Sequence, residues 1–322
     1  LKTIAVLTSG GDSPGMNAAV RAVIRSAGYF GYDILGIRFG YKGLMEADFV
    51  RLQSSDVSGI IQRGGTILKS ARSEEFHEKE GRNRAAENLK KAGVEALITI
   101  GGDGTFRGAT LLAQEHGINT VGIPGTIDND LIGSDETIGY DTALNTAMQA
   151  IDKVRDTADA HERLFLVEVM GRDAGFIALE TGIACGAELI ILPEKLTHIE
   201  EIKESLNKVL KVQRRSTLVV VAEGDHTGGA IELSKKLEPD FKQYDMRVAI
   251  LGHIQRGGSP TAHDRVLASR LGYEAVNAIH NEKSEVMVGV INHDVKITPI
   301  KETFGKIKEI NFDLVELAKV LR

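Results

Sequence analysis

Cysteine is almost missing from this chain: among 322 residues only Cys185 carries a thiol, which rules out an intrachain disulfide and a thiolate metal cluster. Its neighbours in "GIACGAE" are apolar or small, so the thiol reads as packed and inert, and a reducing cytoplasm is the expected compartment. Basic charge is short as well. Lys and Arg number 39 against 45 Asp and Glu, a formal net charge of −6, so the basic surface that grips nucleic acid by releasing counterions is lacking. Nucleic acid is not an expected partner. The longest apolar run, "LVVVA" at Leu218–Ala222, falls far below the roughly 18 residues of a bilayer span, and the sequence opens on a strand-like "TIAVL". Neither a membrane segment nor a secretory signal is expected. There is no proline-rich linker, no low-complexity tract and no long internal repeat; the nearest echo, "QRGGT" at Gln62 against "QRGGS" at Gln255, is too short to establish duplication.

What is present is ordinary globular stock. Hydrophobic residues make up 42% and charged residues 26%, and the length exceeds the usual single core of about 250 to 300 residues, so two domains or one large α/β unit are expected. Short β-branched runs recur at Ile4, Ile34, Ala96, Val121, Leu164, Leu189, Leu218, Val248 and Val286. Helical patterns separate most of them. In "SPGMNAAVRAVIRSA" Ser13 suits an N-cap and Pro14 the first helical position, with Met16, Val20, Val23 and Ala27 on one face. In "DTALNTAMQAIDKVRDTA" the stripe is Leu144, Met148, Ile151 and Val154. Strands alternating with helices imply βαβ units and mostly parallel sheets, which take ligands outside the carboxyl ends of their strands.

Glycine collects at those ends. "TSGGDSPG" sets Gly10 and Gly11 between a strand and a helix, where bare backbone N–H groups and the positive helix end accept a phosphate, or where a tight turn needs φ > 0. The spacing is neither Walker A nor a G-x-G-x-x-G. "ITIGGDGT" repeats the device with Asp103 in the middle, fitting a magnesium-associated acid in a nucleotide site or a glycine turn with a capping Asp. Arg72, Arg163, Arg172, Arg247 and Arg256 supply guanidinium groups suited to bidentate phosphate binding, or to solvated surface pairs. His253 has no second ligand at metal spacing, leaving a substrate hydrogen bond or a satisfied core histidine; Glu223, at a strand end, suits sugar hydroxyls or a cap. "IPGTIDND" places Asp128 and Asp130 close enough to repel, after an apolar run. If it leaves its strand extended, Thr126, Asp128 and Asp130 share one side.

Taken in order, "TSGGDSPGMNAA", "GGDGT", "PGTIDND", "MGRDAG" and "LGHIQRGGSPTAHDRVLASRLG" resemble the bacterial ATP-dependent 6-phosphofructokinase family, from Lys2 to about Gly289. The resemblance implies an α/β fold of two three-layer αβα, Rossmann-like domains with mostly parallel sheets and the active site in the interdomain cleft. It implies a discontinuous ATP-binding domain of residues 1–139 and 255–303, and a fructose 6-phosphate domain of 140–254 and 304–322. The reaction so implied moves the γ-phosphoryl of magnesium ATP to the 1-hydroxyl of fructose 6-phosphate. By the same match Asp128 is the base, Thr126 contacts the transferring group, Arg172 stabilises its charge, Asp103 associates with magnesium, and Asp130 is a supporting acid. Gly11, Arg72, Ser73, Gly102, Asp103, Gly104 and Thr105 match ATP contacts. Met170, Gly171, Glu223, His253 and Arg256 match sugar contacts, and Arg163 and Arg247 match arginines donated across a subunit interface, which implies a homotetramer.

Relatives that use pyrophosphate typically carry Asp at the position of Gly104 and Lys at that of Gly125; glycine at both leaves room for a nucleotide and favours ATP. The family also implies an effector site for ADP or phosphoenolpyruvate, matched here by Arg21, Arg25, Arg155, Gly186, Glu188, Arg214 and Arg215. Ser54, Val212 and Ser216 replace basic groups or histidine of familiar members, so muted regulation is expected. The last thirty or so residues diverge, and Phe312, Leu314, Leu317, Val320 and Leu321 are expected to form a packing helix or, failing that, a partner surface.

Overall fold

Alternation along the strands decides the layering. In the computed structural model, which describes residues 2–159, 163–212 and 216–321, strand β1 (Thr3–Thr8) sends Ile4 and Val6 to one side and Ala5 and Leu7 to the other, all fully buried. Ile4 and Val6 join a core built with α1 (Met16–Tyr29) and α9 (Ala262–His280). Ala5 and Leu7 join another with α2 (Gly40–Glu46) and α3 (Lys79–Lys91). A strand apolar on both faces belongs inside a parallel sheet with helices on each side.

The chain divides into two compact units, one running to Thr142 and taking in Arg256–Lys308, the other comprising Ala143–Gln255 and the residues from Glu309. The first holds β1, β2 (Asp33–Ile37), β3 (Phe49–Arg51), β4 (Val94–Gly101), β5 (Asn119–Pro124), β10 (Val286–Ile291) and β11 (Asp294–Pro299) in the order β11-β10-β5-β4-β1-β2-β3. Its five central strands are parallel; β3 and β11 pair antiparallel at the edges. Neither edge strand is announced by a β-branched run. β11 returns from β10 through Asn292 and His293, both at positive φ (51° and 68°), the two-residue hairpin turn whose twist matches that of its strands.

The second unit has a four-stranded parallel sheet, β7-β8-β6-β9, of β6 (Leu164–Val169), β7 (Leu189–Ile191), β8 (Thr217–Ala222) and β9 (Met246–Ile250). Leu189, Ile191, Val219 and Val221 pack on α7 (Ile199–Val212) and α8 (Gly229–Leu237). The alternate residue Ile190 faces α6 (Phe176–Ala184), where a Cβ on Gly182 would come within 2.6 Å of it. Helices therefore cover both faces. In α5 (Tyr140–Asp159) the fully buried stripe is Ala143, Ala147 and Ile151, one step round from the expected leucine and methionine, which are half-buried. The tail forms α10 (Phe312–Val320) on α6, but Leu314, Val315 and Ala318 carry the packing face while Phe312 and Val320 stay exposed.

α1 also starts later than its sequence suggests. Its first residue is Met16, preceded by Gly15 at φ 111°, and Ser13 gives only its carbonyl, to Met16 N at 3.2 Å, with no side-chain cap. Where Pro14 was expected to open the helix, the chain still turns, and Gly15 lies so close to Ile138 that a Cβ there would strike it at 2.6 Å. No helix among the described residues is long and apolar enough to cross a membrane.

Candidate active site

Three glycine-bearing turns follow β1, β4 and β5, which are neighbours in the sheet, so their carboxyl ends bring the turns together. A Cβ on Gly10 would lie 3.5 Å from the Thr105 hydroxyl, and one on Gly101 would collide with that hydroxyl and with Ser9 O. Gly125 N donates to Gly101 O at 2.9 Å, and a Cβ on Gly102 would lie 3.5 Å from Thr126. Packing thus requires glycine at Gly101, and Gly10 needs it for its positive φ of 82°. α4 (Asp103–His116) begins inside this knot, capped by the extended Gly102 with no side-chain bond, so its first N–H groups point outward at the positive helix end. The buried hydroxyls of Ser13 and Thr105 have no hydrogen-bond partner among the described residues. Both belong to the glycine-rich turns.

Asp103 opens α4, and its carboxylate accepts from Arg107 Nε at 2.5 Å and Gly305 N at 3.3 Å. This hydrogen bond first, then the charge of Asp103, holds the Arg107 guanidinium above its ordinary pKa. The side chain is about a third exposed. One carboxylate at a helix start fits magnesium, which keeps several waters and draws further oxygens from bound phosphates. Among the described residues no cluster of three or more His, Cys, Asp or Glu forms a cage of its own. Gly104 is open, with nothing within 4 Å of a Cβ placed there. Gly125 is not: a Cβ would sit 3.0 Å from Ile100 and 3.4 Å from Met16. Tyr41 lies beneath this turn, its hydroxyl donating to Thr105 O at 2.5 Å and its ring stacked on Phe76; burial pushes its pKa up.

The segment after β5 is not extended. Ile127 and Asp128 form a turn and Asn129 is left-handed at φ 53°, so Thr126, Asp128 and Asp130 do not line one side at a period of two. The reason is local: Asp128 N donates to the Thr126 hydroxyl at 3.2 Å and the buried Thr137 hydroxyl donates to Thr126 O at 2.6 Å, folding the loop on itself. Asp128 is 3% exposed; Asp130 is half-buried. Asp264, wholly buried on α9, accepts from Gly139 N and Thr142 N, each at 2.8 Å, and from the Thr142 hydroxyl. Burial raises its pKa, against the pull of those donors. Asp264→Asn sets an amide against those N–H groups and is expected to lower the unfolding free energy by about 3 kcal/mol in urea titrations. An unchanged midpoint would remove Asp264 from this role.

Arg256 is placed beside the first turn: its guanidinium covers Gly11, and Nη1 donates to Asp12 O at 3.3 Å. Ser70 ties the following loop to Gly10 O at 2.5 Å, Ser73 accepts from Phe76 N, and Arg72 is exposed. The two "QRGG" stretches meet, with Ser259 Oγ donating to Gln62 O at 2.7 Å and Gly64 pressed on Gly258 O. Asn17, buried on α1, holds the first of them through Arg63 O, Gly64 O and Ile67 N.

In the second unit, Met170, Gly171 and Arg172 follow β6, Glu223 follows β8 and His253 follows β9, again adjacent strands. Gly171 (φ 147°) and Arg172 (φ 52°) make a strained turn that Gly224 accommodates, and Arg172 N donates to Glu223 at 3.4 Å. Buried Gln255 joins the strand ends, accepting from Met170 N and donating to Gly252 O. Arg163 and Arg247 lie elsewhere. They sit at the opposite ends of β6 and β9, about 20 Å away by strand rise, and share Asp245, which accepts from Arg163 Nε at 2.6 Å and from Arg247 Nη2 at 3.3 Å. The hydrogen bond from Arg163 first holds the Asp245 pKa down, so what this trio adds to stability is present above the ordinary carboxylate value and is lost as pH falls through the lowered one.

Of the effector candidates, Arg21 and Arg25 share a face of α1, and burial, then Arg25, lowers the Arg21 pKa. Arg155 donates to Gly186 O at 2.8 Å, and Glu188 is buried against Leu218 N at 2.6 Å. Arg214, Arg215 and the side chain of Val212 lie outside the described residues. Asp245, Gln255, Asp264 and Thr137 escaped the sequence reading. Asp245 had a signal, two residues before Arg247 along a strand; the others are neutral or sit within a helical pattern and acquire roles only through contacts distant in sequence.

The sequence profile of one family, Phosphofructokinase, matches residues 3–279. The chain is 54% identical over its whole length to "ATP-dependent 6-phosphofructokinase 1" of Thermus thermophilus, covering 99% of that protein. It is 52% identical to "ATP-dependent 6-phosphofructokinase 2" of Bacteroides thetaiotaomicron, covering 98% of it. Among solved structures, Pichia pastoris phosphofructokinase in the T-state matches 94% of this chain with a TM-score of 0.88 and 36% identity, this chain spanning 35% of that one. The glycine-bearing turns, their strand order and these likenesses agree: the chain belongs to the phosphofructokinase family.

Proposed function

We propose that the chain is an ATP-dependent 6-phosphofructokinase, which moves the γ-phosphoryl group of ATP to the 1-hydroxyl of fructose 6-phosphate and yields fructose 1,6-bisphosphate and ADP. The observation that carries this reading is the contact between the start of α4 and the loop after β5, where Gly102 abuts Thr126 and Gly101 O accepts from Gly125 N. A phosphate-binding helix end beside a loop bearing a buried acid suits phosphoryl transfer. The full-length relatives named ATP-dependent 6-phosphofructokinases support it.

In this reading the first unit takes the nucleotide, with Gly11, Arg72, Ser73 and Gly102–Thr105 as contacts. Asp128 accepts the proton of the 1-hydroxyl as its oxygen bonds to the γ-phosphorus and the bond to the β–γ bridging oxygen breaks. Thr126 contacts the moving group, Arg172 offsets its charge, and Asp130 supports the base. Asp103 would hold magnesium, which when bound neutralises phosphate oxygens. The second unit takes the sugar through Met170, Gly171, Arg172, Glu223 and His253, joined by Arg256. Arg163 and Arg247, at the far strand ends, suit the sugar phosphate of another subunit, hence a homotetramer. The cytoplasm is the compartment proposed. An ADP or phosphoenolpyruvate site with muted response, involving Arg21, Arg25, Arg155, Gly186 and Glu188, is proposed on the same basis.

Open space at Gly104 supports ATP over pyrophosphate as donor. A coupled assay with fructose 6-phosphate tests both readings, with turnover expected on ATP and at most a trace on pyrophosphate. Turnover on pyrophosphate alone would reassign the donor, and none on either would favour a noncatalytic phosphosugar or nucleotide sensor.

A further inference from the structure

The divergent tail returns to the acid-bearing loops of the first unit. Buried Thr303 accepts from Ile132 N at 3.2 Å, the Phe304 ring lies 5.1 Å from the Arg107 guanidinium, and Gly305 N donates to Asp103. Lys308 goes furthest: its ammonium donates to Asn129 Oδ1 at 3.0 Å, Ser134 O at 2.8 Å and Asp135 O at 2.9 Å. We propose that Lys308 is a positioning residue for phosphoryl transfer, fixing the turn that carries Asp128 and Asp130 and placing a cation beside the two carboxylates; this rests on the function proposed above.

Asn129 is the hinge of the argument. It stands between the two aspartates in a left-handed conformation that L residues other than Asn and Asp rarely adopt, and it is 4% exposed. Such a turn persists only where its surroundings over-determine it. Here Asn129 Nδ2 donates to Asp135 O at 3.0 Å while Oδ1 accepts a hydrogen bond from Lys308, so one ammonium closes the ring from Asn129 to Ser134 and Asp135. These three acceptors are neutral oxygens. The ammonium brings positive charge to the loop, one residue from each aspartate in sequence, and eases the repulsion that the "DND" spacing creates.

Lys308→Met is expected to lower kcat about 30-fold, short of the roughly 10²-fold that a 1 Å misplacement can cost, and to leave KM for ATP and fructose 6-phosphate nearly unchanged. Amide exchange, followed by mass spectrometry in the folded full chain, is expected to quicken across residues 126–135 and to stay unchanged across β2 and α2. Lys308→Cys treated with 2-bromoethylamine rebuilds an ammonium of lysine length and is expected to recover both measures. Cys185, 8% exposed with its pKa pushed up to about 11 by burial, does not compete, and the unsubstituted chain treated alike is the control. Unaltered exchange over 126–135, unaltered kcat, or a loss that aminoethylation fails to restore would each overturn the proposal. The exchange comparison decides the positioning claim even where the unsubstituted chain fails to phosphorylate fructose 6-phosphate, an outcome that sinks the functional reading separately.

Discussion

Asp128→Ser is expected to lower kcat by roughly 10³- to 10⁴-fold, the upper range for losing a general base. The carboxylate is 3% exposed and lies on a turn whose backbone is held by Thr126 and Thr137 through their hydroxyls, neither of which uses the Asp128 side chain. The serine variant should therefore keep these two bonds and lose the proton acceptor, since a hydroxyl cannot take a proton from a sugar alcohol near neutral pH. KM for both substrates is expected to move little, because the interaction lost is made in the transition state. Thermal unfolding separates this from damage to the fold. A cooperative transition is expected to persist, since the Thr126 and Thr137 hydroxyl bonds that hold the loop remain. Asp130→Ser, at a half-buried position argued to support the base, is expected to cost distinctly less. Equal losses in the two variants, or full activity in Asp128→Ser, would overturn the assignment of the base.

Gly104→Asp is expected to cut kcat/KM for ATP about 10²-fold. Two like charges 4 Å apart repel by about 1 kcal/mol in water and about 4 kcal/mol near a protein surface, and this exposed site falls between those limits. The structure makes the sign of the stability change opposite to that of the activity change. No atom lies within 4 Å of the added Cβ, so the side chain fits without strain; Gly104 is the second residue of α4, where an acid complements the helix dipole and glycine is a poor former. Stability should rise by up to about 1 kcal/mol while ATP use falls. A variant destabilised by Asp, or one equally active on ATP, would refute the reading of Gly104 as nucleotide room. Gly125→Lys makes a useful contrast. Its Cβ would crowd Ile100 and Met16, so a lysine there disturbs packing as well as charge.

Much of the fold was legible. Every β-branched run named from the sequence lies in or overlaps a strand, because parallel strands are buried on both faces and must be continuously apolar. β3 and β11 were not legible: "FVR" and "DVKITP" are edge strands, half solvated, and their pairing is decided by the neighbours β2 and β10. The start of α1 was misread for a related reason. "SPG" carries a good capping residue and a proline, but the chain turns at Gly15, pressed close to Ile138, a residue distant in sequence, before the helix begins.

The site divides in the same manner. Sequence by itself determined which residue types stand at the strand ends: glycines at the turns after β1, β4 and β5, Asp103 and Asp128 beside them, Arg172 after β6. Those are local matters of strand, turn and helix start, and they repeat along the chain in recognisable spacing. Only tertiary structure decided how they are held. It folded "DND" into a left-handed turn where an extended segment was expected, tied Asp264 of α9 to Gly139 and Thr142, and joined Arg163 to Arg247 through Asp245 at the far end of their strands. It also brought Lys308 from a tail with no motif onto Asn129. The turn is folded by local hydroxyl bonds, but the contacts of Asp264, of Arg163 with Asp245 and of Lys308 with Asn129 join groups at least 82 residues apart, and no periodicity in sequence records which distant donor will meet a buried acceptor.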